Sequence, residues 1–465
     1  MNRFLSLSLL SVVFCGVTSS TWANALSPDY CPAELATDID GLIQSPKWRR
    51  SQWGILAESL GDDVPVYSRN AEQFFLPASN AKLLTTAAAL EALGPDFRFQ
   101  TSVYRQGEKP LLTTLSLQGS GDPTLTHQQL QALVNQLKAE GISKIANLEV
   151  IQPPAPDELN STWEWGDIQF YYGAAPSPIV LNQNTVTLTV KPTKVGEPPQ
   201  FAWSDAIAGS QWRLKNLAKT VSEGDYTLSI SGRLGTNELI ISGQIPVDFG
   251  PDLWRMAILD PTNYLLKTLR QQFAIAGIQI GKTQIVASPP TAAPWQRIES
   301  PALREIISEI NTNSQNLYAE AVLQQLGTSP FEALNELGVA SDSYRLVDGS
   351  GLSRQNRVSP EALIKTLQGM AESPHAEIYQ NSLAIAGETG TLTNRFQNTP
   401  LQGQLIGKTG TLSGMLSLSG YLNPPAHPPI AFTILVNHSP LSSAETRQTI
   451  DAIATQLWRL HECTK

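Results

Sequence analysis

The chain has 465 residues, 41 acidic against 32 basic side chains, and a formal net charge of −9. With 41% hydrophobic and 16% charged residues, it can bury sizeable cores and is neither a disordered acidic polymer nor a coiled coil. The acidic balance argues against a nucleic-acid binder, which needs a basic face for phosphates, and the length allows two or three domains.

The first element in chain order is a targeting segment. Arg3, the apolar run Phe4 to Val17 and then Ala23-Asn24-Ala25 form a signal-peptide pattern, residues 1–25, with cleavage expected after Ala25. The run is too short to span a bilayer, and no later stretch reaches about 18 uninterrupted apolar residues. A transmembrane anchor is the alternative. Phe14 is bulky before Cys15, where a lipoprotein site wants a small residue. The expected product is exported, periplasmic or extracytoplasmic, and soluble or loosely membrane-associated. Export permits disulfides. Cys31 and Cys463 remain, and a bridge between them requires the two chain ends to meet; two free thiols are the alternative. The five histidines are scattered without a Cys/His cluster, so neither a metal nor a cofactor is expected.

Glu34 to Ile43 reads as a short helix, and Gln52–Leu60 and Val64–Asn70 as two strands around Gly61-Asp62-Asp63. Pro77 introduces a helix from Asn80 to Leu93, rich in Ala and Leu and ended by Gly94-Pro95. From about Phe97 to Arg297 short alternating runs predict mostly β structure, interrupted by helices at Gln128–Glu140 and Pro261–Ala276. Helices return at Ala302–Ile310, Gln315–Leu326 and after Ser359-Pro360, where Ser caps and Pro takes the first helical position. Three strand-like runs follow, Gly403–Leu412, Met415–Leu422 and Ile430–Asn437, before a closing helix from about Ser443. Its stripe of Ile450, Ile453, Leu457 and Leu460 suits packing on a sheet better than a membrane foot. The flanks thus read as one α+β domain split by a large insertion.

Three short motifs carry chemistry. Ser79-Asn80-Ala81-Lys82 opens the Ala-rich helix, and a spacing of three puts Ser79 and Lys82 on one face. A serine needs a base, and a lysine serves when burial or a neighbouring cation lowers its pKa. Ser314-Gln315-Asn316 leads into another helix, offering a hydroxyl to relay a proton and an amide to hold a peptide carbonyl. Ser68-Arg69-Asn70 also matches S-x-N, upstream of the serine. Lys408-Thr409-Gly410-Thr411 lies in a strand-like run, where lysine and threonine can clamp a carboxylate and glycine admits close backbone pairing. Each motif alone is weak; their order and contexts together are not.

The set resembles the penicillin-recognising serine enzymes, and within them the class C low-molecular-mass penicillin-binding proteins, the D-alanyl-D-alanine carboxypeptidase/endopeptidase family. Leu76–Ser79, Gly119–Pro123, Asp348–Arg354 and Gly407–Gly410 look like that family's stretches, as does the 231-residue gap between Lys82 and Ser314. The resemblance implies a transpeptidase-like α+β catalytic domain in two parts, 26–96 and 298–465. Between them it implies a domain in two parts, 97–182 and 250–297, that encloses a β-rich one at 183–249.

It further implies that Ser79 attacks between two D-alanines, Lys82 takes its proton, and the Ser79 and Thr411 amides hold the oxyanion. Ser314, linked to Lys82 and Lys408, passes a proton to the leaving D-alanine. Asn316 orients the acyl chain, Lys408 and Thr409 bind the terminal carboxylate, and Gly410 belongs to the same substrate-binding strand. Asp167, Tyr172 and Arg354 are implied to read a diaminopimelate side chain, with Ser413 as a further polar contact. The implied partners are peptidoglycan peptides and β-lactams as covalent inhibitors, without nucleic acid. The rivals are a serine β-lactamase or esterase on the same core and a catalytically silent exported cell-wall binding protein. A large insertion gives a small β-lactam little to grip, and an intact Ser79, Lys82, Ser314, Asn316 and Lys408 set argues against silence.

Overall fold

The computed structural model describes residues 32–60, 65–153, 160–327 and 330–461. The expected signal segment and both Cys31 and Cys463 fall outside these residues. Among the described residues, no helix is long and apolar enough to cross a membrane.

Strands from both ends of the chain build one six-stranded sheet. Its order is Ala384–Ile385, Leu405–Leu412, Met415–Leu422, Ile430–Asn437, Gln52–Ser59, Pro65–Arg69, with every neighbour antiparallel. The two strands Met415–Leu422 and Ile430–Asn437 are buried along their whole length, and the polar Ser417 and Ser419 of the first are hydrogen-bonded there.

On one face the Ala81–Leu93 helix is buried around its circumference, because a helix that is apolar all round must be enclosed on all sides. Helices Leu303–Thr312, Asn316–Leu326 and Pro360–Glu372 enclose it, and the small Ala87, Ala88 and Ala89 side chains let them approach closely. Gly94 ends the helix at φ +77, with its N–H returned to the Leu90 carbonyl. The Pro360 helix starts as its sequence predicts, the Ser359 hydroxyl accepting from the Ala362 N–H. On the other face the helices Pro32–Ile43 and Ser443–Trp458 pack together. Ile450, Ile453, Leu457 and Leu460 are buried there with Leu418 and Phe432, so the terminal stripe faces the sheet.

The intervening residues have a core of their own. A five-stranded sheet runs in the order Gln279–Val286, Lys144–Ile151, Leu111–Gly119, Gln100–Glu108, Gln296–Glu299. Its first three strands are parallel and the other two joins antiparallel. Helix His127–Ala139 crosses over between the Leu111 and Lys144 strands, as parallel pairing demands. A second sheet has Thr185–Lys191 between Gln200–Trp203 and Asp252–Ala257. The boundary expected at 249/250 falls just ahead of that last strand. Residues 160–173, from this part of the chain, reach back over the large sheet's helices and supply one wall of the site.

Candidate active site

Ser79 lies in a tight 3-10 turn, Ala78–Asn80, immediately before the Ala81–Leu93 helix. Ala78 holds φ +49, a conformation that a residue with a side chain adopts only when its surroundings enforce it. They do. The Ser417 hydroxyl donates to the Pro77 carbonyl at 2.9 Å, the Asn80 amide donates to Ser419 Oγ at 2.6 Å, and Asn437 Oδ1 accepts the Leu76 N–H at 2.9 Å. Two glycines admit the turn. A Cβ on Gly351, at φ +82, would overlap the Ala78 carbonyl, and one on Gly410 would overlap Ser417 Oγ and stand 2.9 Å from the Pro77 carbonyl. The glycine of the K-T-G motif therefore has a packing duty against the nucleophile's own turn.

Lys82 is fully buried one turn further on. Its Nζ stands 3.0 Å from Ser79 Oγ, 2.7 Å from Asn316 Oδ1 and 2.6 Å from the Ser350 carbonyl. Burial pulls its pKa down to about 7, against the opposing attraction of Asp348 and Glu320. Lys408 is also fully buried; its Nζ donates to Ser314 Oγ and to the Thr409 carbonyl, both at 2.9 Å. Burial first, and then the Lys82 charge, hold it well below the usual lysine range. Ser314 sits at φ +61 between two helices. Its hydrogen bond runs to Lys408, whereas the expected link to Lys82 is not made directly, because Lys82 spends its bonds on Ser79, Asn316 and Ser350. Asn316 joins two regions: its Oδ1 accepts from Lys82, and its Nδ2 donates to the Tyr172 carbonyl at 2.7 Å.

A cleft of about 570 Å³ opens over these groups. Ser79, Ser314, Asn316, Thr411 and Ser413 line it, as do Asp167, Tyr172 and Arg354 from the far wall. Lys82 and Lys408 lie beneath its floor. Thr409 and Gly410 instead line an adjoining cleft of about 530 Å³, where the Thr409 hydroxyl donates to Thr391 Oγ1 at 2.8 Å; alternation along the strand sends 409 away from 408. The outer neighbour of this strand pairs only with Ile406 and Gly407, so the backbone from Lys408 to Leu412 is an open edge beside Ser79. Of the alternative S-x-N, Asn70 is a turn residue whose amide donates to the Trp53 carbonyl. A larger cavity of about 680 Å³ near His127, Arg255 and Tyr264 contains none of the three motifs.

Four residues that contact the site are not among those singled out in the sequence. Asp348 is buried and accepts from Gly351 N, Asn356 Nδ2, Ser353 N and Trp163 Nε1. Glu320, one helical turn past Asn316, accepts the Ser350 N–H at 2.8 Å; burial and then the Asp348 charge raise its pKa. Ser350, between them, gives its carbonyl to Lys82. Glu164 forms an ion pair with Arg354. For Asp348 and Ser350 the Asp348–Arg354 stretch carried the only signal.

A serine within hydrogen-bond reach of a buried lysine, beside a second lysine–serine pair and an open strand edge on an antiparallel sheet with flanking helices, has the arrangement of a penicillin-recognising serine hydrolase. Similarity to known proteins narrows this further. The sequence pattern of the D-Ala-D-Ala carboxypeptidase 3 (S13) family matches residues 35–457, and the chain belongs to that family. It is a D-Ala-D-Ala carboxypeptidase by class. It is 30% identical to the D-alanyl-D-alanine carboxypeptidase of Actinomadura sp. (strain R39), over 91% of this chain and 84% of that one. It is 28% identical to penicillin-sensitive carboxypeptidase A of Dictyostelium discoideum, over 88% and 87%. Its fold superposes on penicillin binding protein 4 (dacB) of Haemophilus influenzae with a TM-score of 0.79 at 22% identity, covering 91% of this chain and 98% of that one.

Proposed function

We propose that this chain releases D-alanine from peptidoglycan stem peptides, and opens D-alanyl cross-links, through an acyl-enzyme on Ser79. The observation that carries the reading is the 3.0 Å approach of a buried, pKa-depressed Lys82 to Ser79 Oγ. Neutral Lys82 takes the serine proton as Oγ attacks the penultimate D-alanine carbonyl. The Ser79 and Thr411 amides hold the oxyanion on the open edge of the strand. As the C–N bond of the tetrahedral intermediate breaks, Ser314, held by Lys408, hands its hydroxyl proton to the leaving amine and takes in its place the proton that Lys82 accepted, so that Oγ keeps the acyl group and Lys82 returns to neutral. Lys408 with Thr409 binds the terminal carboxylate, Asn316 orients the acyl chain, and water completes hydrolysis.

Asp167, Tyr172, Arg354 and Ser413 form the pocket for the third stem residue, a diaminopimelate-type side chain. The parts 97–182 with 250–297, and 183–249 within them, act as inserted domains that present residues 160–173 to the cleft. The H. influenzae relative has been solved with a β-lactam bound, and β-lactams are proposed as covalent inhibitors here. Action on cell-wall peptide places the protein outside the cytoplasmic membrane.

The test is D-alanine release from a stem pentapeptide beside cleavage of a cross-linked muropeptide. Steady release that disappears in Ser79→Ala supports the reading, and the muropeptide separates endopeptidase from carboxypeptidase. No turnover of either substrate overturns it in favour of a silent wall-binding protein.

A further inference from the structure

The far wall of the cleft brings three charged side chains together. Arg354 is ion-paired with Glu164, Asp167 accepts from the Tyr172 hydroxyl at 3.3 Å, and Glu164, Asp167 and Arg354 all line the cleft that holds Ser79. The two segments that carry the ion pair are clamped on either side of it. Asn160 Nδ2 donates to the Val347 carbonyl at 2.8 Å, the Thr162 and Ser353 hydroxyls meet at 2.5 Å, and the Trp163 indole donates to the buried Asp348 carboxylate at 2.9 Å. Glu164 follows Trp163 and Arg354 follows Ser353, so the two backbones that carry the pair are held beside each other.

Charge counting then decides what this pocket welcomes. Two carboxylates face one guanidinium, which is already neutralised. An incoming ammonium meets Asp167 and Glu164 with no competing cation free. An incoming carboxylate must share Arg354 with Glu164, which already holds its Nε, and lie beside two carboxylates of like sign. Asp167 registers the same crowding: burial first, and the Glu164 charge second, push its pKa up.

We infer that Glu164 is a specificity-determining residue that neutralises Arg354 and competes with a free carboxylate for it. It selects stem peptides whose third residue ends in an ammonium group alone, as in lysine or in diaminopimelate with its side-chain carboxyl amidated. The inference rests on the stem-peptide reading above and deepens it, because the pocket does not treat the two ends of a zwitterion alike. Glu164 is half exposed, so its replacement by glutamine keeps the fold and removes only the charge.

The experiment compares kcat/KM of the full chain on three peptides X–D-Ala–D-Ala, with X as lysine, amidated diaminopimelate and free diaminopimelate. The wild type is expected to favour the first two about fivefold or more over the third, ~1 kcal/mol at 1.4 kcal/mol per tenfold. The gap is expected to shrink at high salt, as for any partly exposed ion pair. In Glu164→Gln the gap closes through a gain on the free-carboxylate peptide. In Arg354→Gln, adding Glu164→Gln brings no such gain. Equal or better turnover of the free-carboxylate peptide by wild type, or an unchanged gap in Glu164→Gln, overturns the inference. Acylation of the wild type by benzylpenicillin, which lacks this side chain, separates the failures. Acylation with no side-chain preference defeats the selector alone. Neither acylation nor peptide hydrolysis defeats the stem-peptide reading, and the selector with it.

Discussion

The Lys82 amine lies 2.6 Å from the Ser350 carbonyl oxygen, an atom that can only accept. Asn316 Oδ1, at 2.7 Å, is a second pure acceptor. A neutral amine has two hydrogens, and these acceptors take both. Its lone pair is left facing Ser79 Oγ, in the orientation that a general base requires. The protonated amine satisfies the same three neighbours by donating to all of them, so the site holds Lys82 in place before and after proton transfer.

The pH profile follows from that arrangement. With Lys82 at about 7, kcat/KM should rise with pH along a single-proton limb half-complete near pH 7. The depressed value also bears on stability. Between about 7 and the unfolded value near 10.5, the unfolded chain holds a proton that the native one has lost, so this lysine's contribution improves as pH rises and is worst below 7. A rate profile flat down to pH 5 contradicts the assignment of Lys82 as base.

Replacing Asn316 probes the same contacts with opposite signs. Asn316→Ala removes the Lys82 acceptor and the tie to Tyr172, and should slow acylation about 10²-fold through misplacement of the base. Asn316→Asp puts an anion beside Lys82, and the acid limb should move to higher pH. Rates of benzylpenicillin acylation across pH read both outcomes.

Asp348→Asn should be costly for the fold and informative for the base. Its amide nitrogen would face N–H donors from the four that Asp348 now satisfies, and the expected loss is ~2–4 kcal/mol. The missing negative charge should shift the acid limb below that of wild type. Thermal melting and a pH–rate profile on the same sample check the two effects.

Gly351→Ala tests the backbone under the nucleophile. A methyl group there collides with the Ala78 carbonyl at a position already at φ +82. The expected result is about 2–3 kcal/mol of lost stability together with a large fall in acylation, because Ser79 moves with Ala78. Full acylation in a folded Gly351→Ala protein contradicts the account of the turn.

The large sheet and the three motifs were legible because their signals are local. Apolar runs mark Met415–Leu422 and Ile430–Asn437, and Ser359-Pro360 marks a helix start. The Lys144–Ile151 strand was not recognised. Its alternation is confined to Ala146–Val150, and its neighbours come from Leu111–Gly119 and Gln279–Val286, so only the assembled sheet fixes its place. Asp348 and Glu320 were missed for a related reason. A carboxylate in a Gly/Ser loop or on a helix is ordinarily solvated, and here burial arises from contact between segments far apart in the chain, as Trp163 with Asp348 and Lys82 with Ser350 show. Ala78 and Ser314 at positive φ carry no local signal either, since surrounding contacts and not residue type impose that geometry. Thr409 sits on the motif strand, yet alternation turns its hydroxyl towards Thr391.

The most direct test of the central claim is intact and peptide mass spectrometry after brief exposure to benzylpenicillin, with Ser79→Ala alongside. The account predicts a penicilloyl adduct on the Ser79 peptide, absent from the variant. No adduct with the penicillin intact contradicts an active Ser79. No adduct with the penicillin consumed makes the chain a β-lactamase and removes the stem peptide as its substrate.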